Sequence, residues 1–126
     1  MKQLLTIICL FFALQTSAQQ STKAPQWLGI LTLTEKYKDE KNWSKTDETI
    51  VGEHFQRLVK LKNEGVIILA GRTQLETSDP GMMGLVIFYA KDEKEASQLM
   101  QDDPAVKNKI MLVKVVPYGV AVNKCE

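Results

Sequence analysis

The chain has 126 residues, 44% hydrophobic and 25% charged, with sixteen Lys and Arg against fifteen Asp and Glu. That balance suits one ordinary globular domain and excludes a disordered or collagenous chain. A formal net charge of +1 offers no clustered positive charge to draw in nucleic acid or an anionic membrane surface.

Met1, Lys2 and Gln3 precede an apolar run from Leu4 to Leu14, and Gln15, Thr16, Ser17 and Ala18 follow it. This is the basic start, apolar middle and small-residue end of a secretory signal peptide over 1–18, with cleavage expected after Ala18. The apolar run falls short of the roughly 20 residues a helix needs to span a bilayer. Export to the periplasm or outside the cell is therefore expected, without stable membrane insertion. Cys9 has Ile8 before it in place of the small residue that precedes a lipidated cysteine. Loss of 1–18 would leave fifteen basic and fifteen acidic residues, with Cys125 as the sole cysteine. An intramolecular disulfide is then impossible, and the hydrophobic core must hold the fold.

Residues 19–26 form a polar lead-in holding Pro25, and the first strand is expected over 27–34, rich in Leu and Ile. The charged loop 35–45 carries Tyr37 and Trp43, which either cover the end of the sheet or close over a substrate. Thr46 is expected to cap a helix over 47–64, with Asp47 and Glu48 in its first turn and Gly65 as its stop. At about 100° per residue, Ile50, Val51, Phe55, Leu58, Val59 and Leu61 share a broad apolar arc. His54, the only histidine, falls inside it, and Gly52 at its edge would let a neighbouring backbone approach.

Val66 to Leu69 reads as a buried strand running to about Gln74; Thr77 to Gly81 is a turn cluster, and Leu85 to Ala90 is the returning strand of a hairpin. Asp92 with Glu95 three residues on opens a second helix, which should stop near Asp102 because Asp103 precedes Pro104. A short turn from Pro104 leads to a strand over Ile110 to Val116, interrupted by Pro117 and resumed over Tyr118 to Val122, with 123–126 as a tail. The domain over 27–122 is thus α+β in the ferredoxin-like order β-α-β-β-α-β, a four-stranded antiparallel sheet with two helices on one face. The other sheet face would expose a large apolar area, so a homodimer through that face is expected.

His54 followed by Leu58, Leu61 and Gly65, then Ile68-Leu69-Ala70-Gly71-Arg72, Glu95-Ala96 and Asp103-Pro104 resembles the YCII-related family of dimeric α+β barrel proteins. The resemblance runs from about Trp27 to Val122, with the helix-one histidine and the Asp-Pro step as its most specific parts. It implies a homodimer with a cleft in each subunit, and a histidine and aspartate acting as a catalytic pair, here His54 and Asp103. Ala105 stands where many members carry an aromatic residue, which sets the pocket shape apart.

The residues make their own case beside the resemblance. An imidazole is the side chain best suited to move protons near neutral pH, and a carboxylate on one ring nitrogen orients it. His54 would be the acid or base and Asp103 its orienter; the bland alternatives are a core histidine and a helix cap. Arg72, at the end of a strand, could hold a carboxylate or enolate oxygen by two parallel bonds, or simply be a solvated strand end or pair with Glu76 or Asp79. Tyr118 could line the same pocket or pack at a dimer seam. Met82, Met83, Met100 and Met111 are taken as core and loop filling. One histidine and one mature cysteine supply no structural metal site, and no Gly-rich phosphate loop or GxSxG is present, so no metal and no cofactor are expected. The expected function is proton transfer, as elimination or isomerisation, on a small acidic or cyclic organic substrate. The alternative is a non-catalytic ligand-binding or interaction module on the same scaffold.

Overall fold

The computed structural model describes residues 23–123; the expected signal peptide with Cys9 and its cleavage point, and Cys125, lie outside the described residues. The elements are β1 (Gln26–Leu33), two 3-10 turns (Glu35–Lys38 and Glu40–Asn42), α1 (Lys45–Asn63), β2 (Ile67–Arg72), β3 (Gly84–Tyr89), α2 (Glu93–Gln101), α3 (Pro104–Lys107) and β4 (Met111–Tyr118). The four strands pair antiparallel in the order β2-β3-β1-β4. This is the ferredoxin-like α+β arrangement, with a short third helix between α2 and β4. Among the described residues no helix is long and apolar enough to cross a membrane.

Alternation along β1 divides the sheet into two faces. Trp27, Leu31 and Leu33 are buried, and Gly29 between them sits under Met100, whose Cε lies 2.9 Å from where a Cβ would be. Val86 and Phe88 from β3 and Ala96 and Met100 from α2 complete this core, with Leu58 and Leu61 of α1 packed against it. The indole of Trp27 donates to the carbonyl of Ala90 at 3.0 Å, so its buried N–H is satisfied. Leu28 and Ile30 point the other way, opposite Ile87 and Leu85 on one side and Val116 and Lys114 on the other. Leu112, on that same face, is 59% exposed.

The start of α1 differs from expectation by one reciprocal pair. Ser44, not Thr46, is the cap: its hydroxyl accepts from the Asp47 N–H at 3.2 Å, while the Asp47 carboxylate accepts the Ser44 backbone N–H at 2.9 Å. Asp47 sits three residues after Ser44, the spacing a capping box needs, whereas Thr46 has Thr49 at that spacing. The end of α1 follows expectation. Gly65 adopts φ +77, Val66 N–H reaches Leu61 O at 2.9 Å and Gly65 N–H reaches Lys62 O at 3.0 Å. This is the Schellman closure that glycine permits at no steric cost. Gly52, by contrast, has nothing within 4 Å of a virtual Cβ, so the expected close approach of a backbone is absent.

The 35–45 segment folds inward. Tyr37 is buried with Leu33, Ala105 and Ile110, its hydroxyl donates to Asp47 at 2.9 Å, and the Trp43 indole donates to the Tyr37 carbonyl at 2.9 Å. These aromatics seal the end of the domain. At α2, Asp92 caps the Glu95 N–H at 2.8 Å, and Glu95 reaches back to the Lys91 N–H, one residue beyond the cap. Pro117 does not interrupt β4: on this edge strand its missing N–H costs no ladder bond, and the strand runs through it to Tyr118 and stops there.

One irregularity decides which way β2 presents its far end. Ile67 pairs with Phe88 but Leu69 pairs with Ile87, so Ile68 is an extra residue. A one-residue insertion exchanges the faces of everything beyond it. Without it Arg72, five positions from the inward Ile67, would face away from the helices. With it, Arg72 lies opposite Gly84, which itself lies opposite the buried Leu31 on the helix-bearing face.

The capping box also makes a prediction. The Ser44 hydroxyl first, then the Ser44 N–H, the Tyr37 hydroxyl and nearby Lys36 hold the Asp47 carboxyl below its ordinary value of 3.8, against a smaller opposing effect of burial. A depressed native value means that this carboxylate's contribution is complete above 3.8 and is lost as pH falls through the lower native value. Ser44→Ala should cost about 1 kcal/mol at neutral pH by urea unfolding, and the gap to the parent protein should narrow in acid.

Candidate functional site

Asp103 occupies the junction of three helices. It follows the end of α2, precedes Pro104, and caps α3: its Oδ1 accepts the Ala105 N–H at 2.9 Å. Proline at the first helical position suits this geometry, because the N–H it lacks would have no partner there. The other oxygen, Oδ2, turns toward α1 and lies 2.8 Å from His54 Nδ1. Asp103 is 0% exposed and His54 9%, so the pair is shielded from bulk water, where such an interaction is strongest. One carboxylate thus meets the start of α3 with one oxygen and the imidazole with the other.

A third side chain joins them that sequence reading missed. Arg57 lies one helical turn beyond His54 on α1, and its Nη1 is 3.6 Å from Asp103 Oδ2. Its Nη2 donates to the Leu99 carbonyl at 2.6 Å, near the end of α2, where a cation also suits the helix dipole. Nη1 is buried and makes no hydrogen bond among the described residues. Its attraction to Asp103 is therefore a charge contact without a proton bridge. The three-residue spacing from His54 was the available signal, since residues so spaced share a helix face.

Asp103 accepts the Ala105 amide proton on Oδ1 and faces the Arg57 guanidinium with Oδ2. A carboxylate only accepts, so Nδ1 of His54 is the donor. The neutral ring then carries its proton on Nδ1 and leaves the Nε2 lone pair free. Nε2 has no partner among the described residues and is not among their sealed polar atoms. His54 lines a cavity of about 470 Å³ between α1 and the sheet. That volume is within the range of small-molecule sites.

The cavity walls are mainly apolar. Val51, Phe55, Leu58 and Val59 come from α1, Ile67, Leu69 and Ala70 from β2, and Met82, Met83 and Met111 from the loop before β3 and the start of β4. Phe55 is 60% exposed, so the half of the apolar arc of α1 that meets no core residue faces this space. The loop methionines, read as filling, are wall residues. Two cations line the same space, Arg72 and Lys62. Neither makes a side-chain hydrogen bond or ion pair among the described residues; the expected partners Glu76 and Asp79 do not engage Arg72.

Of the four residues singled out in the sequence, the structure brings His54 and Asp103 into contact and puts Arg72 on the wall of the same cavity. Tyr118 is elsewhere. It ends β4 opposite Gln26, and the strand carries it about 23 Å from Met111, the β4 residue that does line the cavity. Tyr37 and Trp43 are also outside the wall, which excludes them as a lid over this cavity in this arrangement. Among the described residues no group of three or more His, Cys, Asp or Glu could hold a metal ion.

Removing the Asp103 side chain would leave His54 without its partner, a guanidinium buried beside nothing, and α3 uncapped. Asp103→Ala should therefore cost about 3–5 kcal/mol by urea unfolding. Asp103→Asn should cost less, because the amide oxygen can still cap the Ala105 N–H.

Comparison with known proteins places these features in a family. The model of the YCII-related domain matches residues 30–118. Among solved structures, the chain is similar to the 5-chloro-2-hydroxyhydroquinone dehydrochlorinase TftG of Burkholderia phenoliruptrix, determined in complex with 2,5-dihydroxybenzoquinone: 14% identity, 75% of this chain and 93% of that chain covered, TM-score 0.49. No curated protein matches the sequence. The family match spans β1 to β4 and takes in His54, Arg57, Arg72 and the Asp103-Pro104 step, and the chain belongs to the YCII-related domain family.

Proposed function

We propose that this protein is an exported small-molecule enzyme that moves a proton with His54 in the cavity beneath α1. The observation that carries this reading is the 2.8 Å bond between His54 Nδ1 and Asp103 behind the cavity wall, which leaves Nε2 as the base. In this scheme a substrate C–H beside a carbonyl carbon gives its proton to Nε2. The C–H electron pair becomes a carbon–carbon double bond while the carbonyl π pair moves onto its oxygen, and Arg72 stabilises the resulting enolate oxygen. Return of the proton to a different carbon completes an isomerisation. Departure of a leaving group with the electron pair completes an elimination. Asp103 acts as a positioning residue that holds the imidazolium while it exists.

The same proposal includes a homodimer. The sheet face carrying Leu28, Ile30, Leu85, Ile87, Leu112 and Val116 has neither α1 nor α2 on it, and monomers rarely expose a contiguous apolar face of this kind. Pairing through it leaves the helix side of each subunit, and so each cavity, accessible. Light scattering on the mature domain should give twice the monomer mass at micromolar concentration; a monomer there contradicts this part.

The catalytic part is tested by solvent exchange. The protein is incubated in heavy water with a panel of 2-oxo acids, unsaturated carboxylic acids and halogenated hydroquinones, and deuterium uptake and halide release are followed by NMR and ion chromatography. At least one compound should react, and His54→Gln should reduce its rate by 10²-fold or more, about the share a positioned base contributes. Compounds that bind and shift the His54 signals without reaction would favour the binding module. Equal rates in His54→Gln would overturn the role of His54.

A further inference from the structure

The cavity is long, and its charges lie at its two ends. Its α1 wall runs from Val51 to Lys62, a rise of about 16 Å along the helix axis. The chain reverses tightly at Gly65, so β2 runs back beneath α1: Ile67 lies near the Lys62 end and Arg72 near the Val51 end. Pairing of Arg72 with Gly84 and of Leu33 with Met111 gathers the sheet's contribution at that same end. His54 is one turn from Val51 and about 12 Å along the axis from Lys62. Between them the wall is Phe55, Leu58 and Val59 above and Ile67 and Ala70 below.

Lys62 has two ordinary roles at hand. A lysine in the last helical turn suits the dipole, and its methylenes can cover apolar surface. Its neighbour Lys60 takes part in an i,i+4 pair with Glu64 at 3.9 Å. Lys62 takes no such partner among the described residues and lines the cavity instead. A cation at the end of an apolar trough is placed to meet an anion carried by the trough's occupant.

We infer that this cavity takes an elongated organic dianion: one acidic group at the Arg72–His54 end, an apolar body along Phe55, Leu58 and Ala70, and a second carboxylate at Lys62. The inference rests on the proposed site and adds a specificity-determining residue to it. Arg72 holds the group next to the reacting carbon, and Lys62 selects for length and for a distal charge. A ligand too short to span the trough leaves Lys62 unused, and one ending in a methyl group offers it nothing.

The test uses two homologous series, the dicarboxylates succinate, adipate, suberate and sebacate and the monocarboxylates butyrate, hexanoate, octanoate and decanoate. Binding to the full mature protein is followed through the ring signals of its single histidine. The longer dicarboxylates should bind about threefold to fivefold more tightly than monocarboxylates of equal length, the worth of one partly exposed ion pair. Added salt should erode the preference. Lys62→Met, which keeps the stem and removes the charge, should bring dicarboxylate binding down to the monocarboxylate level; Lys62→Arg should restore the preference. Monocarboxylates that bind with no gain from a distal carboxylate, or a gain that survives Lys62→Met, would overturn the role of Lys62 and leave the proposed site standing. Failure of both series to perturb His54 at millimolar concentration would overturn the dianion inference, while the proposed site stands or falls on the heavy-water exchange.

Discussion

A carboxylate withdrawn from water costs several kcal/mol unless charge and hydrogen bonds replace the solvent it loses. Asp103 meets that demand with groups from two directions, and the arrangement of the helices follows from it. The Ala105 N–H of α3 takes one oxygen; His54 and Arg57, one turn apart on α1, face the other. Arg57 extends the tie to α2 through the Leu99 carbonyl. Three helices are thereby referenced to one buried side chain, which also fixes which ring nitrogen of His54 is engaged. The same bond that satisfies the carboxylate also orients the imidazole.

The cavity arises from a second constraint, the division of the apolar arc of α1. Leu58 and Leu61 join the main core and Ile50 and Val51 join the cluster around Tyr37 and Ile110, while Phe55 and Val59 remain exposed over β2. Space is left where the helix and the edge strand do not close on each other. The bulge at Ile68 then brings Arg72 to the inner face. A strand of the same sequence without the bulge would point that guanidinium away from His54, so the charge pattern of the cavity depends on one unpaired residue.

Much of this is visible in the sequence where a local rule has one outcome. Gly65 at a helix end, Asp103 before a proline and the spacing of His54 within an apolar arc each identify the element and its role, because capping and periodicity are decided within a few residues. The start of α1 is harder: Ser44 and Thr46 are both good caps, and only the reciprocal bond from Asp47 separates them. The bulge leaves no signal, since Val66 to Leu69 is apolar throughout and has no alternation to set a register. Arg57 and Lys62 escape notice because a helical wheel drawn from apolar residues omits the charges that border it. Tyr118 shows the opposite failure, in which an aromatic after a proline attracts attention while strand direction carries it to the far end of the sheet.

The central claim is that Asp103 fixes His54 with its proton on Nδ1 and the Nε2 lone pair turned to the cavity. The ¹⁵N chemical shifts of the neutral imidazole distinguish the two tautomers directly, and one histidine in the chain removes any question of assignment. The account predicts that the neutral ring shows a protonated Nδ1 and an unprotonated Nε2, and that Asp103→Ala loses this fixed preference. A parent protein showing the proton on Nε2 would contradict it, since the nitrogen facing the cavity would then be a donor and His54 could not act there as a base.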